Sequence, residues 1–153
     1  MVKSFQGQRA TPAKVSLKSL TLGDIMTTKL TVLHPEQGMG AVIDLLIKKR
    51  ISGAPVVDDQ GHLVGVLSEG DCLKELIKGK YNNMPALNGM VQDHMTREVK
   101  TLSPDTAVIE AANQFLKMKI RRFPVVAHGR LLGMVSQSDV MKAASRLKSQ
   151  DYS

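Results

Sequence analysis

The sequence predicts an α/β (α+β) fold, built as two β-α-β-β-α units packed sheet to sheet with pseudo-two-fold symmetry. Three observations lead there. The chain repeats itself, each copy alternates strand and helix patterning in the same order, and each copy alone leaves one apolar face uncovered. The repeat has an offset of 69 residues: Asp24-Ile25-Met26-Thr27 returns as Asp93-His94-Met95-Thr96, and Ala54-Pro55-Val56-Val57 returns as Phe123-Pro124-Val125-Val126. After one residue is lost from the second turn the offset is 68, and Gly65-Val66-Leu67-Ser68-Glu69-Gly70-Asp71 returns as Gly133-Met134-Val135-Ser136-Gln137-Ser138-Asp139.

Each copy opens on a short apolar strand ending in Pro35-Glu36 or Pro104-Asp105, where a proline and an acid suit the start of a helix. In the helix that follows, Met39, Val42, Ile43, Leu46 and Ile47 form one apolar stripe. Val108, Ala111, Ala112, Phe115 and Leu116 repeat it in phase. Ala54-Pro55-Val56-Val57 and its counterpart read as strands that proline favours near their start. Turns are expected at Asp58-Asp59-Gln60-Gly61 and His128-Gly129, with return strands at 63–67 and 131–135. A last helix in each copy is expected to turn Leu73, Leu76 and Ile77, or Val140, Met141 and Ala144, inward. Burial of each large aliphatic side chain is worth about 1.5–3 kcal/mol, which drives the two units together. The nine methionines suit adaptable filling of core and interface. The expected organisation is a basic arm at 1–20, a first repeat at 21–80, a connector at 81–90 that draws on the Gly79–Gly89 stretch, a second repeat at 91–148 and a tail at 149–153.

Composition narrows the function. The chain has 153 residues, 42% of them hydrophobic, a formal charge of +7 and a single cysteine. This fits one compact domain or two small ones sharing a core, with no room for a large catalytic domain beside a regulator. No apolar run is long enough to cross a bilayer, no secretory signal is expected, and Cys72 without an internal partner fits a reducing compartment, read as the cytoplasm. Residues 1–20 contribute +4 and residues 140–153 contribute +2, which leaves +1 for the stretch between. Positive charge therefore sits mostly at the ends. With two Tyr and three Phe the chain lacks aromatic surface for base stacking, so a basic nucleic-acid-associated protein using the arm is the alternative rather than the main reading.

Chemistry points to the repeated Gly-x-x-Ser-x-x-Asp junction between strand and helix. A helix N-terminus exposes unpaired N–H groups and suits an anion. Ser68 or Ser136 could add a hydroxyl there, and Asp71 or Asp139 could accept hydrogen bonds from a vicinal diol such as ribose. Two readings stand at this point: ligand contact, or helix caps with a favourable first-turn acid. Catalysis has few candidates. His34, His62, His94 and His128 lie in separate segments, and neither a zinc spacing, a P-loop nor a nucleophile elbow occurs. Cys72 reads as a small buried thiol, and no catalytic or metal residue is assigned.

From Leu22 to Leu147 the D-x-M-T openings, x-P-V-V strands and G-x-x-S-x-x-D endings, twice and in order, resemble a tandem pair of CBS domains, named after cystathionine beta-synthase. The resemblance implies a non-enzymatic regulatory module that holds AMP, ADP, ATP or S-adenosylmethionine between its repeats, dimerises through its helices and signals to an unidentified protein. It requires no cofactor beyond that regulatory ligand. Carried over by motif, Asp71 and Asp139 would hold ribose hydroxyls, and Ser68 and Ser136 would touch phosphate or ribose. The backbones of Ile51-Ser52-Gly53 and Ile120-Arg121-Arg122 would meet the adenine edge or the phosphates, and Thr101 is implied as a further contact. Val32, at the place equivalent to Thr101, offers no hydroxyl. Arg121 and Arg122 replace Ser52 and Gly53, so a polyphosphate is expected on their side and the first cleft is expected to be weaker or empty. The other reading of the arginines is cations solvated at a helix end, and the other reading of the module is a purely structural dimerisation unit.

Overall fold

A computed structural model describes residues 16–81 and 89–151. The basic arm up to residue 15, connector residues 82–88 and residues 152–153 lie outside them. The elements are α1 (Leu22–Ile25), α2 (Met39–Lys49), β1 (Gly53–Val57), β2 (Leu63–Ser68), α3 (Glu69–Tyr81), α4 (Val91–His94), α5 (Val108–Met118), β3 (Arg122–Ala127), β4 (Arg130–Ser136) and α6 (Gln137–Asp151). Two antiparallel hairpins, β1–β2 and β3–β4, form the two sheets. The β3–β4 turn has His128 at φ 53 and Gly129 at φ 79, the pair of positive angles that a two-residue type I′ turn needs.

The strand expected ahead of α2 shrinks to one bridging residue. Leu33 lies parallel to Val56, donating to the Pro55 carbonyl at 2.8 Å and accepting from the Val57 N–H at 2.9 Å. Leu102 repeats this against Val125, with Pro124 and Val126, at 3.0 and 2.9 Å. Pro55 and Pro124 stand third in their strands rather than first, and their carbonyls receive these bonds.

Two short helices that periodicity could not reveal, α1 and α4, open the repeats. An acid at the third helical position ties each one off: Asp24 accepts from the N–H of Thr21 at 2.9 Å, and Asp93 from that of Met90 at 3.1 Å. Each packs on the other repeat. Leu22, fully buried, joins Val108, Phe115, Phe123 and Val135 in the second core, whereas Val91 joins Leu33, Met39, Val42 and Leu67 in the first. Downstream of α1, Thr27 bridges Met134 on β4, and downstream of α4, Thr96 bridges Val66 on β2. The repeats thus exchange their opening segments. A Cβ on Gly65 would lie 2.9 Å from the carbonyl oxygen of Thr96, and one on Gly133 would lie 2.8 Å from that of Thr27, so both strands need glycine where the exchanged segment crosses.

These bridges are reciprocal under the repeat offset, which defines the pseudo-two-fold. At its axis His62 pairs antiparallel with its own counterpart Arg130. Leu63 donates to the Gly129 carbonyl and Leu131 to that of Gly61, both at 3.0 Å.

The helix stripes need correction. Met39, Val42 and Leu46 are buried, as are Val108, Ala111 and Phe115, but Ile47 is 70% exposed and Leu116 77%. On α3 the inward side carries Asp71, Cys72 and Glu75, while Leu73, Leu76 and Ile77 are exposed. The phase is set by polar partners: the Glu75 carboxylate lies 3.2 Å from Nδ1 of His94 on α4, both side chains nearly enclosed. On α6 Ala143 is buried, Val140 packs on the second core and Met141 is 71% exposed. Helix α3 also continues through Gly79 to Tyr81, beyond the expected start of the connector stretch.

Candidate functional site

The segments that cross between the sheets, 27–33 and 96–102, frame a cleft of ≈ 1020 Å³ lined by both repeats. That is the upper end of the roughly 300–1,000 Å³ of small-molecule pockets. One wall is the start of β1 and the end of β2, with Ile51, Ser52, Gly53 and Ser68. The opposite wall is the start of β3 and the end of β4, with Ile120, Arg121, Arg122, Ser136 and Asp139. Nine of the eleven expected site residues therefore converge here, and Asp71 and Thr101 do not line the cleft.

The two serine–aspartate junctions are reciprocal helix caps. The Ser68 N–H donates to Asp71 Oδ2 at 2.9 Å and the Asp71 N–H to Ser68 Oγ at 3.3 Å. In the second copy the bonds are 2.8 Å from the Ser136 N–H and 3.1 Å from the Asp139 N–H. Each helix's first N–H is also taken, Glu69 donating to the Ser52 carbonyl at 2.8 Å and Gln137 to that of Arg121 at 3.3 Å. The helix ends thus have fewer free donors for an anion than their sequence suggests.

Beyond the caps the carboxylates differ. Asp71 is 8% exposed, and its second oxygen accepts from Thr96 Oγ1 at 3.4 Å, so both oxygens are engaged inside the protein. Asp139 is half-buried on the cleft wall, and among the described residues its second oxygen accepts no hydrogen bond. Cys72, next to Asp71, is buried. Desolvation, then the charges of Asp71 and Glu69, push its thiol pKa up, as suits an inert side chain.

The motif reading missed the crossing segments themselves. Thr27, Lys29 and Thr31 line the cleft from the first, and Thr96, Glu98 and Lys100 from the second. Thr27 and Thr96 are the last residues of the D-x-M-T motif, so the duplication carried a signal for them. Thr31 brings to the first copy the hydroxyl that Val32 lacks, one residue earlier. Among the described residues no three His, Cys, Asp or Glu side chains gather as a metal site, and no helix is long and apolar enough to cross a membrane.

Two copies of one unit, with opening segments exchanged and a cleft framed by both, define a tandem-repeat module, and comparison with known proteins agrees. The CBS domain model matches residues 22–78 and 91–146, and the chain belongs to that family. It is 30% identical to the chloroplastic CBS domain-containing protein CBSX2 of Arabidopsis thaliana, over 95% of this chain and 71% of the relative. A crystal structure of CBSX2 in complex with AMP superposes with a TM-score of 0.72 at 34% identity, covering 84% of this chain and 98% of the other. The CBS domain pair of protein MJ0100, in complex with 5'-methylthioadenosine and S-adenosyl-L-methionine, superposes with a TM-score of 0.62 at 27% identity, covering 80% and 98%. A putative acetoin utilization protein (AcuB) from Vibrio cholerae reaches a TM-score of 0.75 at 27% identity, covering 88% and 97%.

Proposed function

We propose that the chain is a non-enzymatic regulatory module of a reducing compartment such as the cytoplasm, holding an adenosyl ligand in the cleft between its repeats and passing ligand state to a partner protein. The observation that carries this reading is the second half of the cleft, where a carboxylate oxygen of Asp139 that accepts no hydrogen bond among the described residues shares a wall with Arg121 and Arg122. A carboxylate can accept both hydroxyls of a ribose, and a planar guanidinium matches phosphate oxygens. Ligands named for two family structures, AMP in CBSX2 and two adenosyl compounds in MJ0100, support the class. Asp139 then holds the sugar, Arg121 and Arg122 the phosphate side, and the backbone of Ile120 lies beside the base. Asp71 acts as a cap and not as a second ribose ligand. Exposed Ile47, Leu116, Leu73 and Met141 support a homodimer through the helices.

Binding of one adenosyl compound shifts the balance of inter-repeat arrangements by its preference between them, which is the physical content of sensing. A thermal-shift series with AMP, ADP, ATP and S-adenosylmethionine tests the proposal. A ligand at about 100 times its Kd adds roughly 2.7 kcal/mol of stability, or about 5–10 °C for a chain of this size. Asp139→Ala should weaken binding by about 1.5–3 kcal/mol, the worth of a hydrogen bond to a charged group. Asp71→Asn should lower stability while leaving affinity intact. Equal loss of affinity in both variants, or no shift with any adenosyl compound, would end the reading.

A further inference from the structure

The proposed nucleotide site leaves open how many phosphates the ligand carries, and the crossing segments bear on this. Lys29 stands two residues after Thr27, which is bridged to β4, and Lys100 stands two residues before Leu102, which is bridged to β3. Both lysines are therefore tethered to the sheet of the second repeat, the sheet that also presents Arg121 and Arg122, and all four line the cleft. At the corresponding places by the first sheet stand Glu98, two residues after the Thr96–Val66 bridge, and Thr31, two residues before the Leu33–Val56 bridge. Among the described residues none of the four cations has a carboxylate within ion-pair distance, the two ion pairs being His62–Asp58 and His94–Glu75. The cleft is thus electrically polar along its length. Four uncompensated cations gather at the end that holds the open Asp139 oxygen, and an acid stands at the end where Asp71 is already capped.

On the adenosyl-ligand reading, which this deepens, we infer that the cleft selects a nucleoside polyphosphate, one per chain, with Lys29 and Lys100 as phosphate ligands beside Arg121 and Arg122. Glu98 repels a second anion from the other end. A terminal phosphate carries about −1.5 to −2 charges at neutral pH, so each added phosphate gains from the four cations. A sulfonium compound with an ammonium group meets like charge there and is disfavoured. The same offset that makes the repeats alike in fold thus sets them apart in charge: Lys29 corresponds to Glu98, and Ser52 and Gly53 correspond to Arg121 and Arg122.

Calorimetric titration of the full chain with ATP, ADP, AMP, S-adenosylmethionine and inorganic tripolyphosphate tests this. The expected order is ATP, then ADP, then AMP, with S-adenosylmethionine weakest, one equivalent per chain, and a preference for ATP over AMP of about tenfold or more, the scale of one or two charge-assisted contacts. In a Lys29→Gln/Lys100→Gln variant, at two exposed positions, that preference collapses because ATP loses several times more affinity than AMP does. Glu98→Lys should admit a second equivalent of ATP. AMP bound as tightly as ATP, equal losses for both ligands in the lysine variant, or two equivalents in the unmodified chain would overturn the inference. Tripolyphosphate separates it from the reading beneath. If no adenosyl compound binds but tripolyphosphate does, and needs Lys29 and Lys100, the charge assignment stands and the nucleotide assignment falls. If ATP binds and is indifferent to both lysines, the reverse holds.

Discussion

Gly65 and Gly133 hold a place that their motif does not advertise. They open the Gly-x-x-Ser-x-x-Asp motif, and their missing side chains make room for the crossing segments, whose carbonyl oxygens and Met95 or Met26 sulfurs lie under 3.0 Å from where a Cβ would stand. Backbone cannot yield as a flexible side chain does. Gly65→Ala and Gly133→Ala should each cost about 1–3 kcal/mol, the usual scale of overpacking. Urea denaturation measures this, and unchanged midpoints would show that the crossing is loosely held. Cys72 gives a second test at this scale. With its pKa raised by burial first and by Asp71 and Glu69 next, little thiolate exists at neutral pH, and access is closed. Alkylation by iodoacetamide, followed by mass spectrometry, should be slow in the native protein and fast in denaturant. Comparable rates in both would contradict the buried placement. The difference between Asp71 and Asp139 could not be read from their identical motifs, since it depends on whether a threonine from the other repeat reaches the carboxylate.

Helices α2 and α5 and the four strands were legible because each carries a pattern long enough to have a period, in duplicate. Helices α1 and α4 were not, at four residues each, although Thr21 with Asp24 three residues on is the spacing of a capping box. The exchange was illegible for a deeper reason: when two cores are built from copies of one sequence, an opening segment that fits its own copy fits the other equally well. The orientation of α3 failed for a different cause, since an apolar stripe predicts burial only where no polar pair claims the inner side, and Glu75 with His94 claims it here. The exchange makes a sharp prediction about where damage appears. Leu22→Ala, in the opening of the first repeat, should cost about 2–5 kcal/mol, the range for truncating a fully buried leucine. Under native conditions, hydrogen exchange should accelerate first in α5, β3 and β4, the first of which begins 40 residues past the end of the first repeat's own sheet. Acceleration confined to β1 and β2 would refute the assignment.

For the molecule as a whole, the exposed apolar residues recur under the repeat operation: Ile47 with Leu116, and Leu73 with Met141. A pseudo-symmetric apolar surface of this kind supports the proposed association of two chains. In sedimentation the full chain should run as a dimer and Ile47→Ser/Leu116→Ser should shift it toward monomer, with helical content unchanged. A monomeric parent chain would remove the dimer from the proposal. Architecture, the location of the cleft and the arginine share of its charge asymmetry were available from duplication and motif, but the share set by Lys29, Lys100 and Glu98 was not, because these travel on segments whose destination only the folded chain reveals. The trade of opening helices also bears on how such a molecule can come into being. A lone ancestral copy, with no second half to receive its α1, could complete its hydrophobic interior only by interlocking with an identical neighbour, so gene fusion would have made permanent an entanglement that solitary units already needed.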